Sequence, residues 1–196
     1  MLDLTGNLDR TRTLRGAVCG TVAGALWALQ QPLDKLVFRS RYDDVELLGR
    51  AVTRGQGWYP VGLALHVTGA ATFGALYANL GPALPLPAPA RGPALALAEH
   101  LVSWPLGAVS DRFHPARKEL PSLVGNGRAF AQATWRHLLF GVVLGELDRR
   151  LNVVPEPVPP EPDADYSSNG QGTLDQALPV TSSGWAPGSP GAGGSD

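Results

Sequence analysis

Three histidines stand inside long apolar stretches of this chain: His66, His100 and His137, with Glu99 immediately before His100. Imidazole and carboxylate side chains exchange protons near neutral pH, bind metals and form hydrogen bonds, so three readings stand, in this order. First, His66, His100, His137, Glu99 and Gln31 satisfy one another as hydrogen bonds between helices. Second, they form a route for protons or a small solute, because ionisable groups held in hydrocarbon are costly and commonly mark such routes. Third, they ligate a metal or haem, as His and Glu sets in helix bundles can. Local spacing lends ligation no support: Glu-x-x-His, His-Glu-x-x-His and Cys-x-x-Cys-His do not occur. No metal is therefore assigned to the site, and the absence of a cofactor is the first expectation.

Asp34 and Arg136 complete the candidate polar core. A charged arginine at the centre of a membrane helix costs about 2.5–3.5 kcal/mol. Arg136 should therefore meet a carboxylate, Glu99 or Asp34, or lie nearer a helix end. His114, directly before Pro115 in a basic stretch, reads as a solvated surface histidine. Cys19 is the single cysteine, which excludes an intrachain disulfide and a cysteine-based zinc site. Hydrolase motifs, glycine-rich phosphate loops and Ser-His-Asp arrangements are not recognisable, so the sequence leans away from an enzyme.

The elements that must position these residues are helices. Residues 16–33 carry no charge over 18 positions, close to the roughly 20 that a bilayer core requires. Arg10, Arg12 and Arg15 precede this run as they would in a signal peptide, but the run continues past Ala23-Gly24-Ala25, so retention is expected. Gly16, Gly20 and Gly24 recur every fourth residue, a spacing that lets helix backbones approach closely, and Trp27, Gln31 and Asp34 continue that face. Between Arg54 and Arg91 lie 36 residues without a charge, the strongest membrane signal in the chain. A span over 58–80 follows, with His66 near mid-depth and Gly62, Gly69 and Tyr77 on one face. The proline-rich 82–91 stretch should be an extended connection. A third span runs over 92–110, kinked at Pro105, and a fourth over 129–147, with Gly141 and Gly145 repeating the close-packing spacing.

In the first loop, Val45, Leu48 and Val52 recur at helical spacing among charges. That pattern fits a short interfacial helix lying on the membrane, or equally a helix packed on the ends of the bundle. All 16 Lys and Arg fall within residues 1–152, whereas 153–196 hold 6 acidic residues and no basic one. The basic body fits anionic headgroups better than nucleic acid because its arginines are scattered. The Pro/Gly-rich acidic tail, 153–196, has too few large apolar residues to offset its ordering entropy and should be disordered.

The expected fold is thus all-α: a four-span membrane bundle at residues 1–152 with a disordered tail. Its expected partners are the lipid bilayer and, through the glycine stripes, a second copy; any tail-binding partner is unspecified. Basic residues favour cytoplasmic 35–57 and 111–128 loops, though only by a small excess. A membrane scaffold that recruits partners through its tail and surface helix is the rival function from another class.

Four pieces of the sequence carry a family likeness: GTVAGALWALQQPLDK, HVTGAATFGALYA, EHLVSWPLGAV and HLLFGVVLGELDRRLN. In this order, with His66, His100 and His137 at positions where that family carries histidines, the chain resembles the YagU-like inner-membrane proteins of bacteria. The resemblance covers most of residues 16–152 and departs by a shorter first loop. It implies an integral inner-membrane protein and supplies no reaction or ligand.

Overall fold

Three of the helix starts among the described residues are set by side chains that bind free backbone amides. The computed structural model describes residues 9–153. The tail expectation for 153–196 lies outside them apart from Val153. Asp9 accepts from the amides of Thr11 and Arg12 at 2.9 and 3.3 Å and opens α1 (Arg10–Phe38). Asp43 accepts from the Glu46 amide at 3.0 Å and opens α2 (Asp44–Val52). Helix α3 (Trp58–Leu80) follows, then a 3₁₀ turn at Gly81–Ala83. Pro87 precedes α4 (Ala88–Ser103), and a second 3₁₀ turn, Trp104–Leu106, separates it from α5 (Gly107–Phe113). Asn126 accepts from the Ala129 amide at 3.1 Å and opens α6 (Gly127–Leu151). The described residues are all-helical.

Two sequence expectations change here. The 82–91 stretch is not extended throughout, because helix resumes at Ala88. Pro87 and Pro89 sit at its start, where a missing amide hydrogen costs nothing. The third expected span, 92–110, is three pieces, with Pro105 inside the 3₁₀ turn that interrupts it. The 16–33 and 129–147 runs are the apolar centres of longer helices, α1 and α6, whose ends are charged.

Helices α1 and α6 pack together at the centre; α3 lies against α1, and α4 against α6. Small residues bring the flanking helices close. A methyl group at Gly20 would fall on the Ala70 carbonyl, and one at Gly74 on the Gly16 carbonyl. Gly92 and Gly141 meet in the same way across α4 and α6. Gly24 faces the Ala70 methyl, while Gly145 has ordinary room for a side chain. The stripes Gly16, Gly20, Gly24 and Gly141, Gly145 are therefore used within the chain. The expected shared face of Gly62, Gly69 and Tyr77 divides: Gly62 is covered by α2 at Val45 and Gly49, Tyr77 is buried, and Gly69 meets no neighbour within 4 Å. Helix α2 is thus packed on α3.

Several helices expose aliphatic side chains while ionisable ones are buried beside the apolar core of Cys19, Ala23, Trp27, Tyr77, Ala96, Phe140 and Leu144. The outer face of α1 carries Val18, Val22, Leu26, Leu29 and Leu33, all exposed, and its inner face carries Gly20, Ala23, Trp27, Gln31 and Asp34, all buried. Leu101, Val102 and Val109 are likewise exposed on α4 and α5, and Val142 on α6. Arg136 and Gln132, by contrast, are wholly buried. Among the described residues one helical stretch, Trp58–Ala83, is long and apolar enough to cross a membrane.

Candidate functional site

Helices α3 and α4 flank the central pair without packing face to face, and the space between them is a cavity of about 550 Å³. Phe73, Phe140, Ala70 and Ala96 line it on the glycine-packed side. His66, Glu99, His100 and His137 line its middle, and Leu47, Leu106, Ser110 and Leu123 its other end. The volume falls within the range of small-molecule sites.

Register explains why the three histidines line one cavity. Helix α1 runs antiparallel to α3 and to α6, so the Gly24–Trp27 turn of α1 lies level with His66 and His137. The Trp27 indole stands edge-on to both rings, with centroids 5.2 Å from His66 and 4.6 Å from His137. His100 stacks on His137 at 4.6 Å, with an interplanar angle of 30°.

Their hydrogen bonds go elsewhere than to one another. The His66 Nε2 donates to the Gly24 carbonyl at 3.2 Å. Thr134 gives its hydroxyl hydrogen to the Phe130 carbonyl, so it can only accept from the His100 Nε2, 3.0 Å away. The His137 Nδ1 donates to the Ala133 carbonyl at 2.7 Å, and its Nε2 lies 2.9 Å from a Glu99 carboxylate oxygen. A single proton must occupy that last contact. It makes either an imidazolium beside a carboxylate or a neutral imidazole beside a carboxylic acid. Both states satisfy the same geometry, so the proton can pass between the two groups without rearrangement. Neither His66 Nδ1 nor His100 Nδ1 has a hydrogen-bond partner among the described residues.

Arg136 selects Asp34 over Glu99. Its Nε and Nη2 bind the two Asp34 oxygens at 2.5 and 2.6 Å, and its Nη1 binds Asp44 at 2.6 Å. Gln132 donates to Asp34 at 2.6 Å and to the Tyr42 carbonyl at 3.3 Å. Asp44 also accepts from the Trp27 indole at 3.1 Å and from the Tyr42 hydroxyl at 2.5 Å, which ties the ion network to the histidine level. Burial by itself would raise the Asp44 carboxyl, but Arg136 and the Tyr42 hydroxyl outweigh it and hold that carboxyl below its ordinary value. Burial first, and Asp44 next, push the Tyr42 phenol well above its ordinary value.

Gln31 does not join the histidines. Its amide reaches Asp43 at 3.2–3.3 Å in the orientation that satisfies both groups, and Asp43 is also paired with Lys35. His114 is buried, not solvated: its Nε2 donates to the Leu47 carbonyl at 3.0 Å and its Nδ1 accepts from the Ala116 amide at 3.1 Å. With both nitrogens spent, it ties the 114–116 turn to α2.

Periodicity missed Tyr42 and Asp44, because both reach the core from the loop and the first turn of α2. The signal available was the run Tyr42-Asp43-Asp44, three polar groups in a row beside a helix start. Among the described residues no three His, Cys, Asp or Glu side chains are grouped so as to hold a metal ion. No family model matches the chain, and no curated protein or solved structure is similar to it.

Proposed function

We propose that the chain is a multi-span membrane protein of the YagU-like kind whose central cavity passes protons or a small solute, with Glu99 and His137 as the exchange site. The observation that carries this reading is the 2.9 Å contact between His137 Nε2 and a Glu99 carboxylate oxygen on the wall of a cavity of about 550 Å³. Three further features support it. Glu99 is partly uncovered, with 44% of its side-chain surface exposed, and it lines the cavity. His100 stacks on His137 and has a free ring nitrogen to receive a proton. The outward aliphatic face of α1 suits hydrocarbon, where buried ionisable groups are costly unless used.

The Arg136 network is the frame of the site and not part of the route. Both Asp34 oxygens and both Asp44 oxygens are already engaged, so neither carboxylate is free to carry a proton. The cavity runs from the histidines towards Leu106, Ser110 and Leu123 at one end; at the other it stops at Ala70, Phe73, Ala96 and Phe140, where close glycine packing of α1 on α3 and of α4 on α6 closes the bundle. Passage therefore requires that packing to open or the site to be served alternately from each side.

The test is proton uptake into vesicles that contain the purified protein and an entrapped pH-sensitive dye, under an imposed potential. The reading predicts faster uptake than in protein-free vesicles, and loss of the increment in Glu99→Gln and His137→Phe. Uptake equal to protein-free vesicles, or unchanged in both variants, would overturn it.

A further inference from the structure

The hydrogen-bonding valences left open around the histidines are acceptors. His66 and His100 each commit Nε2 as a donor, which leaves a lone pair on Nδ1. The nearby side-chain donors are spent: the Trp27 indole and the Tyr42 hydroxyl go to Asp44, and the Ser103 hydroxyl goes to the His100 carbonyl at 3.3 Å. Only Trp104 Nε1 and Ser110 Oγ, one turn or more beyond His100, keep an uncommitted hydrogen among the lining residues described.

Charge points the same way. Arg136 carries one positive charge against two carboxylates, Asp34 and Asp44. Lys35 is paired with Asp43, and the His137–Glu99 contact is neutral overall in either proton arrangement. One negative charge is therefore in excess behind the Trp27–Asp44 wall. Around it stand Trp27, Tyr42, Phe73, Trp104 and Phe140, whose ring faces attract cations.

We propose that the cavity binds an organic ammonium ion: an N–H donor head facing Glu99, His66 and His100, on an apolar, ring-sized body held among the aromatic side chains. This rests on the cavity reading above and names the class of solute. An ammonium beside Glu99 takes the place of the shared proton as the carboxylate's partner and repels a positive charge on the His137 ring, so that proton leaves through the cavity as the cation enters. Charge balances: one cation enters for one proton released. Besides Glu99, the titratable groups that line the cavity are Tyr42 just before α2, Asp44 on α2, His66 on α3, His100 on α4 and His137 on α6.

The experiment is equilibrium binding to the full chain in detergent micelles, with three probes that share one body: 2-naphthylmethylammonium, 2-methylnaphthalene and 2-naphthoate. The proposal expects the ammonium to bind at least about tenfold more tightly than the hydrocarbon, with 2-naphthoate weakest. It also expects proton release into weak buffer on ammonium binding. Glu99→Gln should weaken ammonium binding by about tenfold or more and abolish the release, while Glu99→Asp retains both. Hydrocarbon or naphthoate binding as tightly as the ammonium, or Glu99→Gln binding it unchanged, would overturn the proposal. Ammonium binding with proton release, but no proton uptake by vesicles, would sustain this inference and sink the passage reading. Vesicle uptake without ammonium preference would do the reverse.

Discussion

Arg136 is the residue on which the interior depends most, because it is wholly buried and holds two carboxylates from two different segments. Replacing a buried charge pair with apolar groups of similar volume can be nearly neutral, whereas removing one partner strands the other. Arg136→Met is therefore expected to destabilise the protein by about 3–5 kcal/mol, and Asp34→Asn by less, since its amide can still accept from Arg136. Thermal unfolding in detergent checks the order. Asp111 gives the matching pH prediction. Burial opposes ionisation of Asp111, but the amides of Val124 and Leu123 and the Ser122 hydroxyl win and hold its carboxyl below the ordinary value of 3.8. A depressed carboxyl stabilises the fold above its unfolded-state pKa and loses that contribution as pH falls through the folded value. Wild type should thus be more stable than Asp111→Asn at pH 7, and the gap should close as pH drops below about 3.8. A gap independent of pH would contradict the assignment.

At the scale of elements, the contacts that set helix spacing are backbone against backbone. A side chain at Gly74 would strike the Gly16 carbonyl, and one at Gly92 the Gly141 carbonyl, while Gly69 faces open space. Gly74→Val and Gly92→Val should each destabilise by about 1–3 kcal/mol or more, whereas Gly69→Ala should be nearly neutral; melting temperatures distinguish them. Much of this was legible in the sequence. Charge-free runs marked the helices, glycine periodicity marked the α1 and α6 packing faces, and equal counting from the span starts brought His66, His100 and His137 to one level. What was not legible has a common cause. Counting hydrophobic residues finds the apolar centre of a helix but not its capped ends, so α1 extends from Arg10 to Phe38 beyond its apolar run. Periodicity also has no hold on loops, so Tyr42 and Asp44 reaching Arg136, Gln31 turning to Asp43, and His114 folding under α2 could not be read in advance. The partners Gly74 and Gly92 were invisible because a single glycine has no repeat to announce it.

At the scale of all the described residues, one arrangement ties the separate observations together: an aliphatic row faces outward, and small, aromatic and ionisable side chains share the interior. In water the exposed row Val18, Val22, Leu26, Leu29 and Leu33 would be a severe liability, and in a bilayer it is the expected surface. On the proposed membrane reading the same arrangement gives the buried ions and the histidine-lined cavity their energetic meaning, since ionisable groups held in hydrocarbon must be paired or used. The most direct test places a nitroxide label at each of those five positions and at Ala23, in a Cys19→Ser background, with the protein reconstituted in lipid. Collision with dissolved oxygen should exceed collision with a water-soluble nickel chelate at Val18, Val22, Leu26, Leu29 and Leu33, and Ala23 should be shielded from both. Free access of the nickel chelate along that row would mean water surrounds the bundle, and the account would fail.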